Sequence, residues 1–241
     1  MRKLIIPISM GLLCTSFTVI PSTPAANSYN AAPARSVDST SMISAAELLY
    51  CGTNLEGLGL SRSAFDNAWK GYQRLLGKKM ITRTAYLTIC DFSQSSAKKR
   101  LYIIDVEQGK LVTNTYVAHG KNSGAEYATR FSNIPESLQS SLGFYVTQQT
   151  YTGEHGLSLR INGVDPGFND KALARSIVIH GAAYVDGARA RAGIFMGRSY
   201  GCPAVPQNES AKIITTIKNG TCLFIYHPSG NYLQRSKILN G

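Results

Sequence analysis

Two hydrophobic periods divide the chain. Over residues 61–76, Phe65, Ala68, Trp69, Tyr72, Leu75 and Leu76 recur at three- and four-residue spacing, which predicts a helix with one face against a core. Ser61 is placed to cap its start and Gly77 to stop it, and Trp69 reads as a core residue of that stripe. A shorter apolar-helical piece precedes it at 44–50, and Gly52, Gly57 and Gly59 break the chain between the two. From residue 85 the period changes. Segments 85–91, 100–106, 110–119, 143–150, 156–161, 176–180 and 222–226 are short runs rich in Tyr, Ile, Val and Thr, the composition of strands. Glu107, Gln108 and Gly109 form a hairpin turn between two of them. Residues 206–219 return to helical spacing with Ile213, Ile214 and Ile217 on one face and Gly220 at the end. The expected fold is mainly β and antiparallel with a few helices, in which residues 44–84 form a helical region packed on the sheet and 85–241 carry the sheet itself.

The ends and the charge set the surroundings. Arg2 and Lys3, an apolar run over 4–20 interrupted by Pro7, Ser9 and Thr15, and a Pro- and Ala-rich stretch ending at Ala26 have the three parts of a secretory signal peptide. A membrane anchor is the competing reading, but the run is short and no stop-transfer charges follow it. The chain is therefore expected to be exported, periplasmic or cell-wall associated, with no stable membrane insertion once residues 1–26 are removed. Residues 27–43, rich in Ala, Ser, Asn and Pro, are expected to be a flexible segment. The formal net charge of +11 favours an anionic partner. The basic residues are scattered, the longest cluster being Lys98, Lys99 and Arg100, and with the exported address this points to wall material and not to nucleic acid.

One stretch carries chemistry. Ser176, Ile177, Val178 and Ile179 read as a buried strand that delivers His180 to its end, followed by Gly181. Downstream, Gly201, Cys202 and Pro203 read as a tight turn: glycine allows close backbone approach and proline restricts the alternatives. A thiol needs a base or cation nearby, because the thiolate is the nucleophile and an ordinary thiol is mostly protonated at neutral pH. His180 can take the proton, and Arg198 adds positive potential in the same loop. The plainer reading, a small buried cysteine and a satisfied structural histidine, fits less well here, since turn-forming residues flank Cys202 on both sides. Three histidines precede glycine, His119, His155 and His180, and spacing does not choose among them. His180 is favoured because its strand feeds the loop that ends at Cys202. His119 and His155 are candidates to line a substrate groove, with a structural hydrogen-bonding role as the alternative for each. No close-spaced His or Cys ligand pair occurs, so neither metal nor cofactor is expected.

At these residues the chain resembles the murein L,D-transpeptidases of the YkuD-like fold. The resemblance rests on His180-Gly181, then Ser199, Tyr200, Gly201 and Cys202 after a variable segment, with Pro203, Ala204 and Val205 following, and extends over about residues 85–228. It implies a β-sandwich-like fold and a cysteine acyltransferase acting on peptidoglycan stem peptides. Cys202 would be the nucleophile and His180 the base, and the backbone at Tyr200, Gly201 and Cys202 would hold the oxyanion. It further implies crosslinks between third residues of stem peptides, and acylation by carbapenem-type inhibitors. The imidazole would be oriented by the Gly181 carbonyl, with Asp186 as a carboxylate alternative. Residues 186–195, rich in Gly, Ala and Arg, are expected to be a lid whose Arg189 and Arg191 meet substrate carboxylates, with a solvated basic loop as the alternative. Ser199, a candidate substrate-binding residue, would hydrogen-bond His180 or cap the turn, and Arg198 would bind substrate or face solvent. Two positions depart from the commoner motif: Tyr200 stands where a histidine is usual and Ala204 where an arginine follows the cysteine. A carboxypeptidase or other cysteine hydrolase of wall peptides, and a non-catalytic wall-binding module, are the alternative functions.

Cysteines outside the cytoplasm tend to pair. With Cys14 in the leader, Cys51, Cys90, Cys202 and Cys222 remain. Cys90 and Cys222 sit in apolar runs and are expected at buried strand positions, and two disulfides would silence the proposed nucleophile.

Overall fold

The computed structural model describes residues 39–241, with side chains from residue 45. The expected leader, 1–26, and residues 27–38 of the expected flexible segment lie outside the described residues. The remainder of that segment is helical, because α1 (Ser39–Gly52) begins five residues before the expected piece. Helix α2 (Arg62–Gly77) follows the sequence closely. The Ser61 hydroxyl accepts the Ala64 N–H at 3.2 Å, a cap worth about 1 kcal/mol. Phe65, Ala68, Tyr72 and Leu75 are buried. Leu76, expected on that face, is exposed, and the stripe instead runs through Gly71. There a Cβ would lie only 1.9 Å from the Phe144 ring, so the missing side chain is what lets the helix sit down on the sheet.

The strands are β1 (Tyr86–Asp91), β2 (Leu101–Asp105), β3 (Lys110–Thr115), β4 (Gly143–Gly153), β5 (Gly156–Gly163), β6 (Val178–Ala182), β7 (Ala204–Pro206) and β8 (Cys222–Tyr226). They form one eight-stranded sheet in the order β3-β2-β1-β8-β4-β5-β6-β7. Most neighbours are antiparallel as expected, but β1 with β8 and β6 with β7 are parallel. Beyond β3 the chain continues past Thr115 to the opposite edge. Ala118 pairs with Ala204 of β7, and Gly120 with Ser199, so the sheet is nearly closed on itself. The central strands are buried along their length, and the Phe144 and Phe224 rings stack at 4.1 Å in the core.

Four helices complete the fold: α3 (Gly187–Arg191), α4 (Gln207–Ile217), α5 (Gly230–Arg235) and α6 (Lys237–Asn240). Helix α4 buries Ile213, Ile214 and Ile217 and packs so closely on β6 that a Cβ on Gly181 would meet the Ser210 and Gln207 side chains at 2.7 and 2.8 Å. Asp165 ties the last two helices down, accepting from the Tyr232 hydroxyl and the Ser236 hydroxyl, each at 2.8 Å. Four cysteines in the described residues are free, and Cys90 and Cys222 are buried in β1 and β8. Among the described residues no helix is long and apolar enough to cross a membrane.

Candidate active site

The parallel pairing of β6 and β7 builds the site. His180 is opposite Ala204, so Cys202, two residues earlier on the second chain segment, comes to rest beside Val178, two residues earlier on the first. The Val178 N–H donates to the Cys202 sulfur at 3.5 Å, and the thiol donates to the Ser176 carbonyl at 3.8 Å. Val178 and His180 are alternate strand residues and project to one face. Cys202 and His180 both line a groove of about 1010 Å³. In this resting arrangement the sulfur's hydrogen bonds are to the first residue of β6 and to the Ser176 carbonyl just before the strand.

The imidazole is oriented by the Gly181 carbonyl, 2.9 Å from His180 Nδ1. A carbonyl only accepts, so Nδ1 carries the proton and Nε2 presents its lone pair. Asp186, the alternative, is occupied elsewhere: its carboxylate caps α3 by accepting the Ala188 N–H at 3.2 Å. Burial lowers the His180 pKa; the Gly181 bond opposes the shift and the His155 ring adds to it. Burial raises that of Cys202, against smaller opposing effects of the Val178 N–H and the Arg175 charge. Both shifts favour the neutral forms of the thiol and the imidazole.

The cysteine turn is held from within. Gly201 has φ +120°, a left-handed conformation that favours glycine, and a Cβ there would meet the Gln139 carbonyl at 2.9 Å. Ser199 caps the turn: its hydroxyl donates to the Cys202 carbonyl at 2.6 Å and accepts the Gly201 N–H at 3.2 Å. That N–H is thereby removed from the expected oxyanion-binding set. The Tyr200 and Cys202 N–H groups donate to no backbone carbonyl among the described residues.

The other expected site residues divide. His155, at the tip of the β4–β5 hairpin, lines the groove with its ring stacked on His180, centroids 4.3 Å apart. Arg198 and Tyr200 line it from the cysteine side, both exposed, and Lys121 places its ammonium 4.4 Å from the Tyr200 ring. His119 is not in the groove. It is fully buried, accepting on Nδ1 from Arg100 Nη2 at 2.7 Å and donating from Nε2 to the Gly124 carbonyl at 3.2 Å. Its position corrects the expectation of a groove role, because both ring nitrogens are already used. Arg189 and Arg191 lie on α3 away from the groove lining. The segment expected as a lid is flanked by Val185 and Met196, buried with Ala118, Ala182 and Ala204. Several groove residues were missed from sequence, Tyr151, Tyr184 and Gln207 among them, and two of those missed carry charge. Glu154 lies beside His155, and Arg175, five residues before His180, was inconspicuous beside the exposed arginines of the following loop.

The L,D-transpeptidase catalytic domain model matches residues 57–226, well over half of the chain. The chain belongs to the L,D-transpeptidase catalytic domain family. In structure it is similar to an L,D-transpeptidase from Mycobacterium smegmatis, with 12% identity, 59% of each chain covered and a TM-score of 0.37. A second neighbour is an L,D-transpeptidase from Mycobacterium tuberculosis H37Rv, with 14% identity, 59% of this chain and 58% of that one covered, and a TM-score of 0.36. A third is the helical cell shape determining protein Pgp2 from Campylobacter jejuni, at 15% identity, 70% and 58% coverage and a TM-score of 0.37. The chain spans less than two thirds of the length of each of these neighbours. No curated protein matches its sequence.

Proposed function

We propose that the protein is a peptidoglycan L,D-transpeptidase that crosslinks third residues of stem peptides through a thioester on Cys202. The observation that carries the reading is the placement of Cys202 and His180 on one groove with the His180 Nδ1 proton committed to Gly181. That leaves Nε2 as the only ring nitrogen able to accept the thiol proton. In acylation the Cys202 sulfur bonds to the carbonyl carbon of the donor stem's third residue, and its proton passes to Nε2. The tetrahedral oxyanion is met by the Tyr200 and Cys202 N–H groups. Collapse breaks the C–N bond, and Nε2 returns the proton to the departing D-alanine amine. The side-chain amine of a second stem then attacks the thioester carbonyl and loses a proton to Nε2, and the thiolate leaves and is reprotonated. Arg198, exposed on the groove and without an acidic partner among the described residues, binds the carboxylate of the leaving D-alanine. A carbapenem would acylate the same sulfur, since its strained ring carbonyl is an acyl donor. The leader read at residues 1–26 would deliver the enzyme to the wall.

Incubation with disaccharide tetrapeptide, followed by mass analysis of the muropeptides, tests the proposal. Dimers with loss of one D-alanine are expected from the wild type and none from Cys202→Ala. Tripeptide monomers alone would establish hydrolysis in place of transfer, and an unchanged substrate with no acyl-enzyme would leave a binding module.

A further inference from the structure

Arg175 has an environment unlike that of any other arginine in the site. Its guanidinium is half-buried, donating from Nη1 to the Ser132 carbonyl at 2.7 Å and to the Ser141 hydroxyl. From Nη2 it donates to the Gln139 carbonyl at 2.7 Å and the Ser137 hydroxyl at 3.1 Å. All four acceptors are neutral, and among the described residues no carboxylate pairs with it. An unpaired cation held partly out of water is costly, and burial accordingly lowers its pKa. Among the described residues two ionisable groups, Tyr145 and Cys202, favour the charge. Tyr145 is no counter-ion, because its buried hydroxyl donates to the Ser141 carbonyl at 2.9 Å and burial pushes its pKa up. Cys202, once ionised, is the one group left to balance Arg175.

The same side chain braces the turn that carries the sulfur. Residues 132–141 wrap the guanidinium, and from within that segment the Ser140 hydroxyl donates to the Gly201 carbonyl at 3.2 Å. Arg175 Nη2 itself would lie 3.4 Å from a Cβ on Gly201. The adjoining Ser176 has φ +54°, an unusual conformation for a residue other than glycine, and its carbonyl is the one that receives the Cys202 thiol.

We infer that Arg175 is a positioning residue for the acyl transfer: it fixes the 132–141 segment against the Gly201–Cys202 turn and supplies the charge against which the Cys202 thiolate forms. This rests on the reading of Cys202 as nucleophile. The exposed Arg198 is left for substrate, and the half-buried Arg175 acts on the enzyme's own sulfur.

Iodoacetamide alkylation of Cys202, followed by peptide-resolved mass spectrometry across pH, reads the sulfur whether or not the chain crosslinks. Arg175→Gln is expected to raise the alkylation midpoint by about one pH unit and to slow alkylation near pH 7 about tenfold. Arg175→Lys, which keeps the charge and loses the four-way clamp, is expected to keep the wild-type midpoint while carbapenem acylation slows about tenfold. A folded Arg175→Gln protein whose profile superimposes on that of the wild type would overturn the inference. If Arg175→Gln does not fold, Arg175→Lys decides: a wild-type midpoint with slowed acylation supports it, and a midpoint displaced upward overturns it. A wild type that makes no crosslink yet shows this dependence would remove the proposed function and leave the role of Arg175 standing.

Discussion

The imidazole of His155 lies stacked on that of His180, centroids 4.3 Å and planes 23° apart, although one ring comes from a hairpin tip and the other from inside the sheet. The outer ring shields the inner one from water, and a proton on both would place like charges face to face. Both effects disfavour the imidazolium at His180, in line with its lowered pKa. His155→Gln should therefore raise the His180 pKa. In the proposed mechanism the base works neutral, so the acid limb of the kcat/KM profile should move to higher pH in this variant. An unmoved limb would show that the stacking has no hold on the base.

The thiol and imidazole are displaced in opposite directions, Cys202 upward and His180 downward, each chiefly by burial. A preformed thiolate–imidazolium pair would need the reverse. Alkylation of wild-type Cys202 should accordingly climb through neutral into alkaline pH, with no reactive plateau extending to acid pH. Such a plateau would mean that the ion pair exists before substrate arrives.

What the sequence made legible is what local pattern encodes. The β-branched run before His180 and the glycine–cysteine–proline turn at Cys202 are short-range features; the turn falls where expected, while the strand is displaced, starting at Val178 and running past His180 to Ala182, with Ser176 left outside it at φ +54°. His119 shows the limit of such patterns. Its His-Gly dipeptide looks the same as that of His180, and what separates them is Arg100, brought against His119 by the pairing of distant segments. Arg175 was hidden for the same reason, since its acceptors lie in residues 132–141. Strand β7 is three residues long, too short for any alternation to register, and it is defined by its parallel partner. The parallel β1–β8 pair joins opposite ends of the domain, which nothing in either run announces. In residues 186–195 the Ala, Gly and Arg composition hid a short helix capped by Asp186 and flanked by two buried residues, Val185 and Met196.

The His119–Arg100 contact predicts acid sensitivity. Burial, with the Arg100 charge beside it, lowers the His119 pKa from 6.5 to about 4. Between those values the unfolded chain binds a proton that the folded chain refuses, so the stability associated with neutral His119 is complete above pH 6.5 and is lost as pH falls toward 4. The difference is worth about 3 kcal/mol. Urea titrations from pH 7 to pH 4 should show a decline of that order for the wild type. His119→Gln should be less stable at pH 7 and decline less steeply, and parallel declines in the two proteins would assign the acid loss to other groups.

The seat of α2 on the sheet gives a prediction for stability alone. Gly71→Ala would normally favour a helix by up to about 1 kcal/mol. Here the added methyl enters the Phe144 ring, at 1.9 Å from its Cζ, and that ring cannot move freely because it is stacked on Phe224 at 4.1 Å. Overpacking of this kind costs about 1–3 kcal/mol, which outweighs the propensity gain, so Gly71→Ala should lower the unfolding free energy. Phe144→Leu should destabilise on its own by opening a cavity. The double variant should be more stable than the sum of the two losses predicts, because the methyl then occupies space the ring has vacated. A urea double-mutant cycle measures that coupling, and strict additivity would show that α2 shifts to make room instead of pressing on Phe144.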